Sequence, residues 1–254
     1  MTRNIRLIVE YEGTGYAGWQ SQAGLPTIQG ELAGAIKKLT RPTPFGVGAP
    51  EPKLIGASRT DAGVHALGQT ANFHTDCRIP LAGMLMGLNS LLPSDIVIKA
   101  VEEAGTEFDS RRDARGKTYI YKILNRGFPS ALLRRWTWFV HKPLDISLMR
   151  EGARRIVGKK DFSSFMAAHS DSLHSVREVT SIDVRDAGDG VIEIEVSGTA
   201  FLRHMVRIMA GTLVAAGTGR IRPAQIETII EARDRTKAPM TAPPHGLFLM
   251  KVEY

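Results

Sequence analysis

Residues 11–20 read YEGTGYAGWQ, in which Gly13, Gly15 and Gly18 spell G-x-G-x-x-G. As a dinucleotide fingerprint, this stretch would make the chain a doubly wound parallel α/β protein with a nicotinamide or flavin cofactor. That reading has mechanical requirements. The third glycine must lie at the start of a helix whose N-terminus faces the pyrophosphate. Here Gly18 is followed by WQSQAGLP, and Gly24 and Pro26 rule out a crossover helix. An acidic residue is also required about 20 residues further on, at the end of a second parallel strand. That region reads AIKKLTRP. Both requirements fail, so no nucleotide cofactor is expected. The glycines instead predict a loop of unusual backbone angles that serves to place Tyr16, Trp19 or Gln20.

Outward from this loop the periodicity alternates between strand and helix. Residues 3–11 read as a strand. Residues 27–40 read as a helix, with Thr27 as N-cap and Ile28, Leu32, Ile36 and Leu39 at helical spacing. The stretch 41–52, with four prolines and two glycines, reads as an irregular loop. KLIGAS and QTANFHT read as strands, IPLAGMLMGLNSLLP as a helix closed by Pro93, and DIVIKAVEEA as a strand. A similar order follows. KTYIYKILN is a strand, DISLMREGARRIVG a helix, and VREVTSIDVRDAGDGVIEIEVSG a hairpin turning at DAGDG. FLRHMVRIMAGTLVAAG reads as a long amphipathic helix, RPAQIETIIEAR as a helix started by Pro223, and HGLFLMKVEY as a closing strand. The order predicts an α+β protein of two similar halves, residues 1–108 and 109–254, each a largely antiparallel sheet backed by helices. Only the order of elements repeats, not the sequence.

Composition narrows the function classes. No apolar run approaches the roughly 18–20 residues of a membrane helix, and residues 1–13 lack the features of a secretory signal. A single cysteine, Cys77, excludes an intramolecular disulfide and a multi-cysteine zinc site, and the seven histidines are scattered, so no metal is expected. These features favour the cytoplasm. The 33 Lys and Arg against 26 Asp and Glu leave a net charge of +7, which favours polyanionic partners. The basic residues cluster at Arg111, Arg112, Arg115 and Lys117, at Arg134 and Arg135 beside Trp136 and Trp138, and at Arg150, Arg154, Lys159 and Lys160. Cations near aromatics suit a phosphate backbone with unstacked bases. The two tryptophans serve equally well as core.

The densest polar stretch, GASRTDAGVHALGQ (56–69), follows an apolar strand and holds Arg59, Asp61 and His65 around Gly63. An arginine two residues from a carboxylate favours its charged form and suits it to nucleophilic work near neutral pH. Asp-Ala-Gly is also good turn chemistry, and the residues alone leave both readings open.

The run SRTDAGVHALGQ closely resembles the signature of the tRNA pseudouridine synthase A family. Other segments agree in order: YEGTGYAGWQ, FDSRRDARGKTYIY (108–121), DFSSF (161–165), FLRHMVRIMAG (201–211) and APPHGLFLMKVEY (242–254). Two small departures are Ser58, where many members carry glycine, and Ser110, which replaces an alanine before Arg111. The 41–52 loop looks longer than is typical.

The resemblance implies a pseudouridine-synthase fold whose two halves surround a central basic cleft. It implies isomerisation of uridine to pseudouridine at positions 38, 39 and 40 of the tRNA anticodon stem-loop, without redox cofactor, ATP or obligatory metal. Asp61 would be the nucleophile, attacking C6 of the base or assisting at the ribose C1′; the sequence leaves these open. Tyr119 would stack on the flipped base and serve in proton transfer at C5. Arg207 would be the basic partner that keeps Asp61 ionised. Arg59, His65, Lys117, Tyr121, Arg203 and His204 are candidate substrate contacts. Arg203 and Arg207, four residues apart, would share a helical face. The family is homodimeric, with one tRNA reaching across both subunits, so tRNA and a second copy are the expected partners. The glycine loop would then shape the RNA cleft. Alternatives are a pseudouridine synthase with a different RNA site and a non-catalytic RNA-binding module, which shares the charge pattern but has no need of Asp61.

Overall fold

The computed structural model describes residues 2–40, 53–167 and 174–254. The proline-rich stretch 41–52, expected as a loop, lies outside them. In chain order the elements are β1 (Arg3–Tyr11), α1 (Ile28–Thr40), β2 (Ile55–Gly56), β3 (His65–Thr75), α2 (Leu81–Leu91), β4 (Ile96–Ala104), β5 (Gly116–Leu124), β6 (Trp138–Phe139), α3 (Ile146–Ile156), β7 (Gly158–Asp161), β8 (Val176–Gly188), β9 (Val191–Gly198), α4 (Met205–Gly217), α5 (Gln225–Glu231) and β10 (Leu247–Glu253). This is a mixed α+β chain whose strand pairs are almost all antiparallel, and it divides into two compact units. One comprises residues 1–114 and 249–254, the other residues 115–248.

In the first unit the strands run β4-β1-β3-β10, with β2 on β3. Alternation along β1 buries Ile5, Leu7 and Val9 completely on one face. Full burial of such a side chain contributes roughly 1.5–3 kcal/mol. Arg6, on the other face, lies opposite Glu102 of β4, and its Nε donates to that carboxylate at 3.1 Å. Helix α1 begins as its sequence predicts. The Thr27 hydroxyl accepts from the Gly30 amide at 3.2 Å, and Ile28, Leu32, Ala35 and Ile36 form the buried stripe. KLIGAS gives only the two-residue β2. Gly56 packs directly against the Trp19 indole, and beyond it the Gln69 side chain takes over the Ser58 peptide.

In the second unit the order is β5-β9-β8-β7, with β6 added in parallel to β5. The expected hairpin is β8–β9, whose turn carries Gly188, Asp189 and Gly190 at positive φ. Asp145 caps α3, its carboxylate accepting from the amides of Ser147 and Leu148. Met149, Gly152, Ala153 and Ile156 make the buried stripe of α3. Gly152 lets the helix close on Leu213 and Ile226. Trp136 and Trp138 are half-buried, between the core and the exposed roles their sequence left open.

Helix α4 departs from expectation in two respects. It starts at Met205 rather than at Phe201, because His204 sits in the left-handed region at φ 63° and turns the chain before the helix begins. Every residue of α4 except Arg207 is buried, so this is a core helix rather than an amphipathic surface helix. No helix among the described residues is long and apolar enough to cross a membrane.

Candidate functional site

The candidate residues belong to both compact units. In the first unit, residues 57–65 join β2 to β3 and carry Arg59, Asp61 and His65. The segment is held from several sides. The buried Gln69 amide spans the Ser58 peptide, donating to its carbonyl at 2.7 Å and accepting from its amide at 3.3 Å. The Thr60 and Tyr11 hydroxyls share a hydrogen bond of 2.7 Å. The Thr60 carbonyl accepts from the Trp19 amide at 3.1 Å. Asp61-Ala62-Gly63-Val64 is a tight turn closed by the Val64 amide on the Asp61 carbonyl at 3.1 Å. Gly63 at φ 76° occupies the turn position that favours glycine. The turn chemistry legible in Asp-Ala-Gly is therefore present, and it is closed by the main chain of Asp61. The Asp61 side chain is half-buried and Arg59 is exposed.

The glycine loop packs against this segment. Gly18, at φ 102°, leaves so little room that a Cβ would lie 2.7 Å from the Thr60 carbonyl oxygen and 3.1 Å from the Ala62 amide nitrogen. Gly13 lies directly against the Val64 carbonyl, and its amide donates to His65 Nδ1 at 3.0 Å. Gly15 has open space. Two of the three glycines thus exist for close backbone approach to the aspartate loop. Of the residues the loop was expected to place, Trp19 is buried and the Tyr16 hydroxyl donates to Asp95 at 2.6 Å. That bond follows burial as a cause of the raised Tyr16 pKa. Gln20 is exposed and bonds the Gln29 side chain.

His65 was a candidate substrate contact. Only 1% of it is exposed, and its Nδ1 accepts from the Gly13 amide. Ser110, one of the two departures from the family pattern, is fully buried. Its hydroxyl donates to the Ile55 carbonyl at 2.7 Å and its amide to Asn72 Oδ1 at 2.9 Å, so the extra oxygen is satisfied.

In the second unit, β5 carries Lys117, Tyr119 and Tyr121 at alternate positions, facing Gly198, Val196 and Ile194 of β9. Lys117 is half-buried and Tyr119 nearly buried, its ring edge-on to Phe201 with centroids 5.3 Å apart. Tyr121 has no exposed surface. Its ring meets Trp138 edge-on, and its hydroxyl donates to the Pro243 carbonyl at 2.8 Å. Both the ring and the hydroxyl of Tyr121 thus have partners inside this unit. Burial raises its pKa, opposed by the nearby Arg207 charge.

Arg207 lies in the first turn of α4. Its Nε donates to the Ala242 carbonyl at 2.9 Å, and the Ala242 amide donates to the Arg207 carbonyl at 3.1 Å. Arg203 does not share its helical face. It is exposed in the turn before α4, with its carbonyl accepting from the Ala167 amide. His204, half-buried, occupies the N-cap position. The segment 242–246 belongs to the resemblance but had no expected role. Its Ala242 and Pro243 carbonyls receive Arg207 and Tyr121. Burial lowers the His245 pKa; a hydrogen bond with the Thr137 backbone opposes the shift, and Arg207 adds to it. A Pro-Pro pair ahead of a glycine is the only sequence sign of such a fixed segment. Among the described residues no group of three or more His, Cys, Asp and Glu side chains is placed to hold a metal.

Comparison with known proteins places the chain in a family. The family model described as tRNA pseudouridine synthase matches residues 7–112 and 153–254. The chain is 45% identical to tRNA pseudouridine synthase A of Acetivibrio thermocellus over 252 residues, covering 99% of this chain and 100% of that one. It is 44% identical to tRNA pseudouridine synthase A 2 of Clostridium tetani over the whole of both chains. With tRNA pseudouridine synthase A of Myxococcus xanthus it shares 42%, over 98% of this chain and 91% of that one. Among solved structures, an archaeal box H/ACA Nop10–Cbf5 complex aligns over 95% of this chain and 47% of that chain, at 10% identity and a TM-score of 0.33. The chain belongs to the tRNA pseudouridine synthase family, isomerases that convert uridine to pseudouridine in tRNA.

Proposed function

We propose that this protein isomerises uridine to pseudouridine at positions 38, 39 and 40 of the tRNA anticodon stem-loop, with Asp61 as nucleophile. One observation carries the reading. Asp61 sits in an Arg-Thr-Asp-Ala-Gly-Val-His run, on a loop pinned by Gln69, Trp19 and two close-packed glycines, in a chain 45% identical to a tRNA pseudouridine synthase A over its full length. A nucleophile that must meet one carbon atom benefits from a loop with little freedom.

The reaction is balanced without any co-reactant. The N1–C1′ bond breaks, the uracil turns, C5 bonds to C1′, and the proton lost from C5 is matched by one gained at N1. Asp61 acts at C6 or at C1′. Tyr119 supplies a ring against the flipped base and a hydroxyl for the C5 proton. Arg207 keeps the nucleophile ionised. Lys117, Arg59, Arg203 and His204 are the proposed RNA contacts. Flipping the target base costs on the order of a few kcal/mol, which phosphate contacts offset. The proposal includes two similar halves around a basic cleft, a homodimer sharing one tRNA, and action in the cytoplasm.

Tritium release from tRNA labelled at C5 of uridine tests the chemistry directly. Wild type releases the label. Asp61→Asn, which keeps the shape of the side chain, releases none while still binding tRNA. If wild type binds tRNA but releases no tritium, the non-catalytic binding module takes its place.

A further inference from the structure

A polar chain runs from the buried Tyr121, to which the proposed chemistry gives no part, to the half-buried Arg207. Tyr121 is fully buried, and its hydroxyl donates to the Pro243 carbonyl at 2.8 Å. The preceding carbonyl, Ala242, accepts from Arg207 Nε at 2.9 Å. The Ala242 amide closes the pair on the Arg207 carbonyl at 3.1 Å. Adjacent peptides of one segment thus hold the two side chains. The segment itself has little room to move. A Cβ on Gly246 would lie 2.8 Å from both the Lys122 carbonyl oxygen and the Tyr121 ring, and Gly211 of α4 lies directly against the Met240 carbonyl.

We infer that Tyr121 is a positioning residue for Arg207, acting through the Ala242–Pro243 peptides; this rests on the role proposed for Arg207. The physical reason is the shape of the guanidinium. It is planar and rigid, so fixing the direction of Nε–H fixes the plane in which its other N–H groups point. The Nε–H direction is set by the Ala242 carbonyl, and the Ala242–Pro243 segment is set by the Tyr121 hydroxyl. Pro243 has no amide hydrogen and a locked φ, which couples the two carbonyls. The Arg207 charge in turn acts on the Tyr121 hydroxyl, so the two groups are electrically close as well as mechanically linked.

The test is Tyr121→Phe, which deletes the hydroxyl and keeps the ring that packs on Trp138 and Gly246. Single-turnover tritium release should fall about tenfold or more, the scale on which misplacing a catalytic group acts. tRNA affinity should stay within about twofold, because phosphate contacts dominate it. A merely structural role would lower the melting temperature and leave the single-turnover rate of the folded fraction unchanged; that result would overturn the inference. A second readout needs no activity. The Arg207 Nε–H resonance should exchange slowly with solvent in wild type and faster in Tyr121→Phe. Fast exchange in the wild-type protein would overturn the inference whether or not the variant folds. If wild type releases no tritium from tRNA, the proposed function fails on its own, and the exchange comparison still decides whether Tyr121 holds Arg207.

Discussion

Gly18 and Gly15 stand three residues apart in one loop and face opposite constraints. Gly18 has φ 102° and a Cβ there would meet the Thr60 carbonyl oxygen at 2.7 Å, whereas a Cβ at Gly15 would meet nothing within 4 Å. Gly18→Ala should therefore cost about 1–3 kcal/mol, the range for a residue held in a sparsely populated backbone region. It should also slow tritium release, because the atoms displaced belong to the Thr60–Ala62 backbone that carries Asp61. Gly15→Ala should stay within about 0.5 kcal/mol of wild type, like most surface substitutions. Urea unfolding of the two variants measures the contrast, and equal stabilities would show that the loop yields. At this scale the sequence was partly legible. WQSQAGLP after Gly18 bars the helix a dinucleotide loop needs, so the residues that follow the glycines, not their spacing, point to a shaping loop. Which glycines are required was not legible, since close approach to Val64 and Thr60 is a tertiary fact. The same limit hid the burial of His65 and Tyr121. Both look like exposed polar residues on a line of text, and both are buried.

Elements with strong local signals formed where their periodicity placed them. Alternation set β1, and the Thr27 and Asp145 caps set the starts of α1 and α3. The miss at α4 has a local cause. Nothing in FLRHMVR announces that His204 adopts a left-handed turn, so Arg203 and Arg207 read as one helical face when only Arg207 is helical. The segment 242–246 behind Arg207 yields a pH prediction. His245 is held neutral in the folded protein because burial, with the Arg207 charge, lowers its pKa below the ordinary 6.5, against the hydrogen bond with the Thr137 backbone. In the unfolded chain the imidazole takes up its proton at the ordinary value. The unfolded state then binds more protons than the native state as pH falls. The contribution is fully present above pH 6.5 and is lost as pH falls through the lowered native value. His245→Gln, which cannot titrate, should show a shallower loss of stability than wild type between about pH 7 and pH 5. The difference between their urea midpoints cancels the other histidines. A difference that does not change with pH would mean that His245 ionises normally in the folded protein.

For the molecule as a whole, charge decides how the proposed substrate is held. The net charge is +7. Arg59, Arg134, Arg135, Arg154 and Arg203 are exposed cations on loops and on α3, and Arg185 and Arg155 form ion pairs with Glu193 and Glu227. A short way before Arg134 and Arg135 in the chain, the Arg126 guanidinium lies 4.5 Å from the centre of the Phe128 ring, and 64% of Phe128 is exposed. This stretch offers both a phosphate partner and an aromatic face. If tRNA is bound mainly through its phosphates, counterion release fixes the form of the salt dependence. The logarithm of affinity should fall linearly with the logarithm of salt concentration, with about 0.7 to 0.9 of slope per phosphate neutralised. Arg134→Ala with Arg135→Ala should lower affinity for different tRNAs by a similar factor and reduce the slope by about that amount for each phosphate the arginines neutralise. The double substitution should leave the single-turnover rate at saturating tRNA unchanged, because neither arginine is among the residues proposed to act on the base. Filter binding across a series of salt concentrations separates the two effects. An unchanged slope in the double variant would assign the phosphates to the other exposed arginines. An affinity insensitive to salt in the wild-type protein would mean that its recognition of tRNA is not electrostatic, and the positive charge would then serve only solubility.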